Sequence, residues 1–70
     1  MPHLTPEQCR AARGLLDWTQ AKLAQRAGVS RSTVRDFEQG RHDLQRASAA
    51  QIVLAFEAAG VAFIVPDGFG

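Results

Sequence analysis

Thr19 to Glu38, TQAKLAQRAGVSRSTVRDFE, is the stretch on which the reading of this 70-residue chain turns. It reads as two short helices joined by a tight turn. Thr19 is placed to cap the first and Ser30 the second, because a hydroxyl just ahead of a helix accepts a hydrogen bond from a backbone N–H two or three residues on. Apolar pairs flank both caps at staple spacing, Trp18 with Leu23 and Val29 with Val34. Gly28 falls where the chain must turn sharply, a position that suits left-handed backbone. Helical spacing sends Leu23, Ala24, Ala27, Val29, Val34 and Phe37 inward. It leaves Ser30, Arg31, Ser32, Arg35 and Asp36 outside on the second helix.

Upstream, Thr5-Pro6-Glu7-Gln8 has the form of a helix start. Thr5 is the cap, Pro6 takes the first helical position, and Gln8 completes a capping box. Glu7 lies at the positive end of the helix dipole. The helix is expected to run from Pro6 to about Leu16 and to turn Cys9, Ala12, Leu15 and Leu16 toward the core. Gly14 falls near its end, and Leu16-Asp17-Trp18 forms the connection to Thr19. Residues 1–5 are expected to be an N-terminal tail, with Met1 to Leu4 loose.

Downstream, helices are expected over Gln20–Ala27 and Arg31–Gln39, the latter stopped by Gly40. Arg41 to Ala47 reads as a polar loop. Ser48 is expected to open a fourth helix through a capping box with Gln51, with Ile52, Val53, Phe56 and Ala59 as its buried stripe and Gly60 as its stop. Val61 to Val65 is β-branched and aromatic between Gly60 and Pro66, which predicts a short strand. A lone strand leaves its backbone groups unpaired. Pairing Val61, Phe63, Ile64 and Val65 with the same strand of a second copy would satisfy them. An extended tail packed on the helices is the alternative. The predicted fold is thus all-α: a compact four-helix domain over 6–60, followed by a strand and tail over 61–70.

Seventy residues make one small domain, which buries roughly 60% of its unfolded surface and gains from good caps or a second copy. One cysteine excludes an intramolecular disulfide, and no run of about 20 apolar residues offers a membrane span. No basic start or apolar core of a signal peptide is visible, so a cytoplasmic location is expected. Cys9 reads as a buried structural thiol and Trp18 as core. His3 and His42 are too far apart to suggest a metal site. No cofactor is expected, and no nucleophile–base spacing or glycine-rich phosphate loop points to an enzyme.

The formal net charge is only +1, but its distribution is uneven. Between Gln20 and Arg46, six basic residues oppose three acidic ones, while the flanks carry two against four. The positive excess therefore coincides with the paired helices and the loop after them, as a phosphate-facing surface requires. An ordinary solvated face accounts for the charge equally well. A short, polar, hydrogen-bonding outer face with two arginines also has what a helix needs to read base edges in a major groove.

WTQAKLAQRAGVSRSTVRDFEQG resembles the helix-turn-helix of lambda-repressor-like (Cro/repressor, XRE-type) transcription factors. The likeness spans about Pro6 to Ala59 and rests on the Thr-Gln cap, Leu-Ala in the first helix, Gly-Val-Ser at the turn, Ser-Thr-Val and Phe-Glu-x-Gly. It implies base contacts from Arg31, Ser32 and Asp36, with Arg35 meeting a base or a phosphate. It implies phosphate contacts from Gln20, Ser30 and Arg41, and an Arg13–Glu38 pair tying the first helix to the third. Thr33 and His42 are further candidates for phosphate, although Thr33 is equally placed to pack against the second helix. The fifth helix usual in the family is missing, and Val61–Val65 stands in its place. The function expected is a homodimeric regulator on double-stranded DNA, with a small protein partner of the antitoxin kind as the alternative.

Overall fold

The computed structural model describes residues 4–40 and 46–63. They form four helices: α1 (Pro6–Leu16), α2 (Gln20–Ala27), α3 (Arg31–Glu38) and α4 (Arg46–Ala58). α2 is the central element and packs on both α3 and α4, while α1 packs on α3. Among the described residues there is no strand; residues 61–63 are irregular, and Ile64 and Val65 lie outside the described part.

Both ends of the short helices are set by local chemistry. Thr5 Oγ1 accepts from Gln8 N at 3.1 Å and Gln8 Oε1 accepts from Thr5 N at 2.9 Å, a complete capping box. Thr19 Oγ1 accepts from Lys22 N at 3.0 Å, and Ser30 Oγ from Thr33 N at 3.0 Å. Gly28 ends α2 at φ 73°, and Asp17 ends α1 at φ 56°, a left-handed conformation that aspartate tolerates better than most residues. In each case the next residue donates its N–H five residues back: Trp18 to Arg13 O at 2.9 Å, Val29 to Ala24 O at 3.1 Å. After α4, Gly60 at φ 97° repeats the arrangement and Val61 donates to Phe56 O at 3.0 Å.

The residues so delivered, Trp18, Val29 and Val61, all pack against the core. Its fully buried centre is Phe56, Leu23, Ile52, Val34 and Cys9. Trp18 stacks on Phe56 at 5.9 Å, and Phe63 meets the same ring edge-on at 5.7 Å.

Four expectations are corrected. Leu15 is 79% exposed, because it lies about 100° round α1 from Leu16, off the stripe that Cys9, Ala12 and Leu16 turn inward. Leu4 is buried instead of loose, occupying with Cys9 the two staple positions around the Thr5 cap. α4 starts at Arg46, so Ser48 lies within the helix and is not its cap. Ala59 is exposed beyond the helix end, and Ala55 fills the stripe in its place.

Glu38, the last residue of α3, is only 5% exposed. Arg13 of α1 grips its carboxylate twice, Nε to Oε2 and Nη2 to Oε1, both at 2.7 Å. Gln20 Nε2 of α2 donates to Oε1 at 3.1 Å, and the Cys9 thiol to Oε2 at 3.0 Å. Arg10 Nη1 donates to the Glu38 carbonyl at 2.6 Å, and Arg13 Nη1 to the Trp18 carbonyl at 3.0 Å. Burial by itself pushes the Glu38 carboxyl up, but the hydrogen bonds from Arg13, Cys9 and Gln20 and the charge of Arg13 together hold it below its ordinary value. The hydrogen bond to Glu38 raises Arg13 in turn. Burial, followed by the bond to the neighbouring carboxylate and its charge, pushes the Cys9 thiol far up, so it is a neutral donor.

Three outcomes are expected in equilibrium unfolding. Phe56→Ala should cost about 3–5 kcal/mol, whereas Leu15→Ala should stay within about 0.5 kcal/mol; similar losses would mean that α1 is rotated relative to this description. Arg13→Ala, which strands a buried carboxylate, should cost about 3 kcal/mol or more. The pH dependence follows from the lowered carboxyl: its contribution is complete above the ordinary value of 4.5 and is lost as pH falls through the lower, folded-state value. Stability should decline on acidification below about pH 4.5, and Glu38→Gln should flatten that limb; equal slopes in the two proteins would refute the role given to Glu38.

Candidate nucleic-acid interface

The face of α3 opposite the core is short and polar. Val34, Phe37 and Glu38 are buried, and Arg31, Ser32 and Arg35 are exposed on the other side. Ser30 stands at the N-terminal end, where its hydroxyl both caps the helix and lies 2.7 Å from Thr33 Oγ1. Arg31 has no side-chain hydrogen bond or ion pair among the described residues. Arg35 Nε meets Asp36 Oδ1 at 3.3 Å, with side chains 54% and 22% exposed respectively. The two neighbours on the helix are thus unequal: the arginine stands out, and most of the carboxylate is covered.

The structure sorts the residues singled out from the sequence into groups. Ser30, Arg31, Ser32 and Arg35 lie together on one accessible surface. Thr33 and Asp36 are half-buried at its flanks. Gln20, at the first position of α2, commits its amide N–H to Glu38, so it touches the end of α3 from within. Arg13 and Glu38 lie inside and pair with each other. Val61 and Phe63 lie against the core, with Ala62 between them exposed. Arg41 and His42 fall outside the described residues, as do Ile64 and Val65.

Two participants were not singled out for these roles in the sequence. Arg10 reaches the carbonyl at the end of α3, and Cys9 donates to the carboxylate of the same residue. Cys9, Arg10 and Arg13 are three and four apart on α1, which puts them on neighbouring rows of one helix. That spacing is visible in the sequence, but the identity of their common acceptor is not. A third pairing lies away from α3, where the Arg26 guanidinium sits 5.8 Å from the Trp18 ring centroid.

The arrangement is suited to a polyanion with readable edges. Two arginines and a serine on an eight-residue helix, with a second serine at its N-cap, present donors, and the other face of the helix is anchored. Among the described residues, no group of three or more His, Cys, Asp or Glu is placed to hold a metal ion. No described helix is long and apolar enough to cross a membrane.

Comparison with known proteins supports the architecture. A helix-turn-helix family model matches residues 10–58, more than two thirds of the chain. Among solved structures, a chain of a HipB–O4 20mer complex is similar, with a TM-score of 0.68 and 21% identity over 97% of each chain. A comparison with curated proteins finds no match. The capped helices, the glycine turn and the anchored polar helix, together with the span of that match, place the chain in the lambda-repressor-like (XRE-type) helix-turn-helix family.

Proposed function

We propose that this protein is a sequence-specific DNA-binding transcriptional regulator, acting as a homodimeric repressor on an inverted-repeat operator. One observation carries the reading: Arg31, Ser32 and Arg35 are exposed together on a helix whose opposite face is locked to the rest of the domain. An arginine fork matches the O6 and N7 acceptors of guanine in the major groove, and a small serine lets the helix sit deep. Ser30 and Thr33 at the start of α3, Gln20 at the start of α2, and Arg41 and His42, which lie outside the described residues, are assigned to phosphates, which fix register but carry no sequence information. Blocking or touching polymerase by occupancy is then the means of regulation.

Two-fold symmetry places one α3 in each of two half-sites about one helical turn apart, roughly 34 Å. The dimer contact is assigned to Val61–Val65. The support is the alternation at its start, where Val61 and Phe63 pack inward and Ala62 is outward, as in a strand with one covered face. A second reading is a module that binds a small protein partner and also occupies its own promoter. The large apolar side chains that such a partner could cover among the described residues are Leu15 and Leu54, 79% and 58% exposed. Co-purification of a small protein with the tagged chain from its native source separates the two.

Arg31→Ala should weaken binding to a selected duplex by about 1–3 kcal/mol and relax preference at one base pair. Arg41→Ala should weaken all sequences alike and reduce the salt slope by about one. Equal losses on selected and random duplex for both variants would remove the assignment. In sedimentation, the full chain should dimerise and a chain ending at Gly60 should not; identical monomers at high concentration would remove the strand pairing.

A further inference from the structure

We infer that Asp36 is a positioning residue for Arg35, setting base preference through the arginine without touching a base. This rests on the DNA-reading role proposed for α3. The two residues are adjacent on the helix, and Asp36 Oδ1 lies 3.3 Å from Arg35 Nε. The side chain of Asp36 is 22% exposed and that of Arg35 is 54% exposed. A carboxylate that reads a cytosine amino group must project as far as its neighbours do, and this one is largely covered. It also engages Nε specifically, so the Nη1 and Nη2 fork stays available for the O6 and N7 of a guanine. Holding Nε restricts where that fork can point.

The pairing also resolves the charge conflict on this face. An uncompensated carboxylate facing a groove repels phosphate, whereas one held against a guanidinium does not add a free negative charge to the surface. A single pair at the surface, with its arginine 54% exposed, contributes little to folding, so its effect should be read in recognition and not in stability.

The test is selection of binding sites from a random duplex library by the full-length wild type, Arg35→Ala, Asp36→Ala, Asp36→Asn and the Arg35→Ala/Asp36→Ala double variant. Far-ultraviolet circular dichroism checks that each is folded. Both Asp36 variants should relax preference by roughly three- to tenfold at the same base pair that Arg35→Ala relaxes, and the double variant should lose no more there than Arg35→Ala alone. Loss at a different base pair would make Asp36 a direct reader and overturn the inference. Unchanged preference, or losses that add in the double variant, would overturn it as well. If the wild type enriches no sequence, the DNA-reading role itself fails and this inference falls with it. Enrichment by wild type with the wrong response at position 36 sinks this inference alone.

Discussion

The buried carboxylate of Glu38 is the constraint on which the arrangement of the helices depends. A carboxylate is expensive to remove from water unless charge and hydrogen bonds replace what is lost. Here a bidentate guanidinium, an amide and a thiol do so, and they come from two different helices. The requirement is geometric as well as energetic. All the donors reach one residue only when α1, α2 and the end of α3 stand in a single relative position. Glu38 therefore acts as an index pin at one end of α3, and Arg10 adds a second hold on the main chain of the same residue. What emerges on the opposite face of α3 inherits that precision.

The rest of the domain meets a different difficulty. α2 and α3 have eight residues each, well short of what is stable alone in water. The chain compensates by giving residues at the helix junctions two tasks. Trp18 and Val29 each donate the backbone bond that closes one helix, and each sits at the staple position that opens the next. Val61 closes α4 in the same way and starts the segment that covers Phe56. Short helices thus begin and end on core contacts, and little of the connecting backbone is left to fray. The left-handed residue at each junction is what aims the following side chain back at the core.

This explains which features were legible in the sequence. The caps at Thr5, Thr19 and Ser30, the turn at Gly28 and the inward stripe of α2 and α3 are set by residues within a few positions of each other. Local chemistry decides them, and the sequence records local chemistry directly. The outward placement of Arg31, Ser32 and Arg35 follows from the same periodicity. Leu15 was misread because it was counted with a stripe that it lies about 100° away from, and Leu4 because its staple position opposite Cys9 across the Thr5 cap was passed over. The start of α4 was misread because Ser48 with Gln51 has the form of a cap, and that pattern carries no veto on a helix that began earlier. Cys9 and Arg10 were not connected to Glu38 because the contact spans 28 or 29 residues of chain. Nothing nearby in the sequence marks the acceptor.

The same brace changes how the charge pattern should be weighed. Counting along the chain, Glu38 and Asp36 subtract from the positive stretch around α3, and Arg10 and Arg13 belong to the flank. In the folded protein Glu38 is neutralised by Arg13 from outside that stretch, and it lies beneath the surface. Asp36 is held against Arg35 and largely covered. The field that an approaching polyanion meets over α3 is therefore more positive than the linear count by the charge of Glu38, which Arg13 compensates from outside the stretch, while Asp36 and Arg35 offset each other. A formal charge of +1 for the whole chain is compatible with a surface of one sign on one side. The internal ion pair contributes to that surface by withdrawing a negative charge from it, which joins the interaction that fixes the fold to the one proposed for recognition.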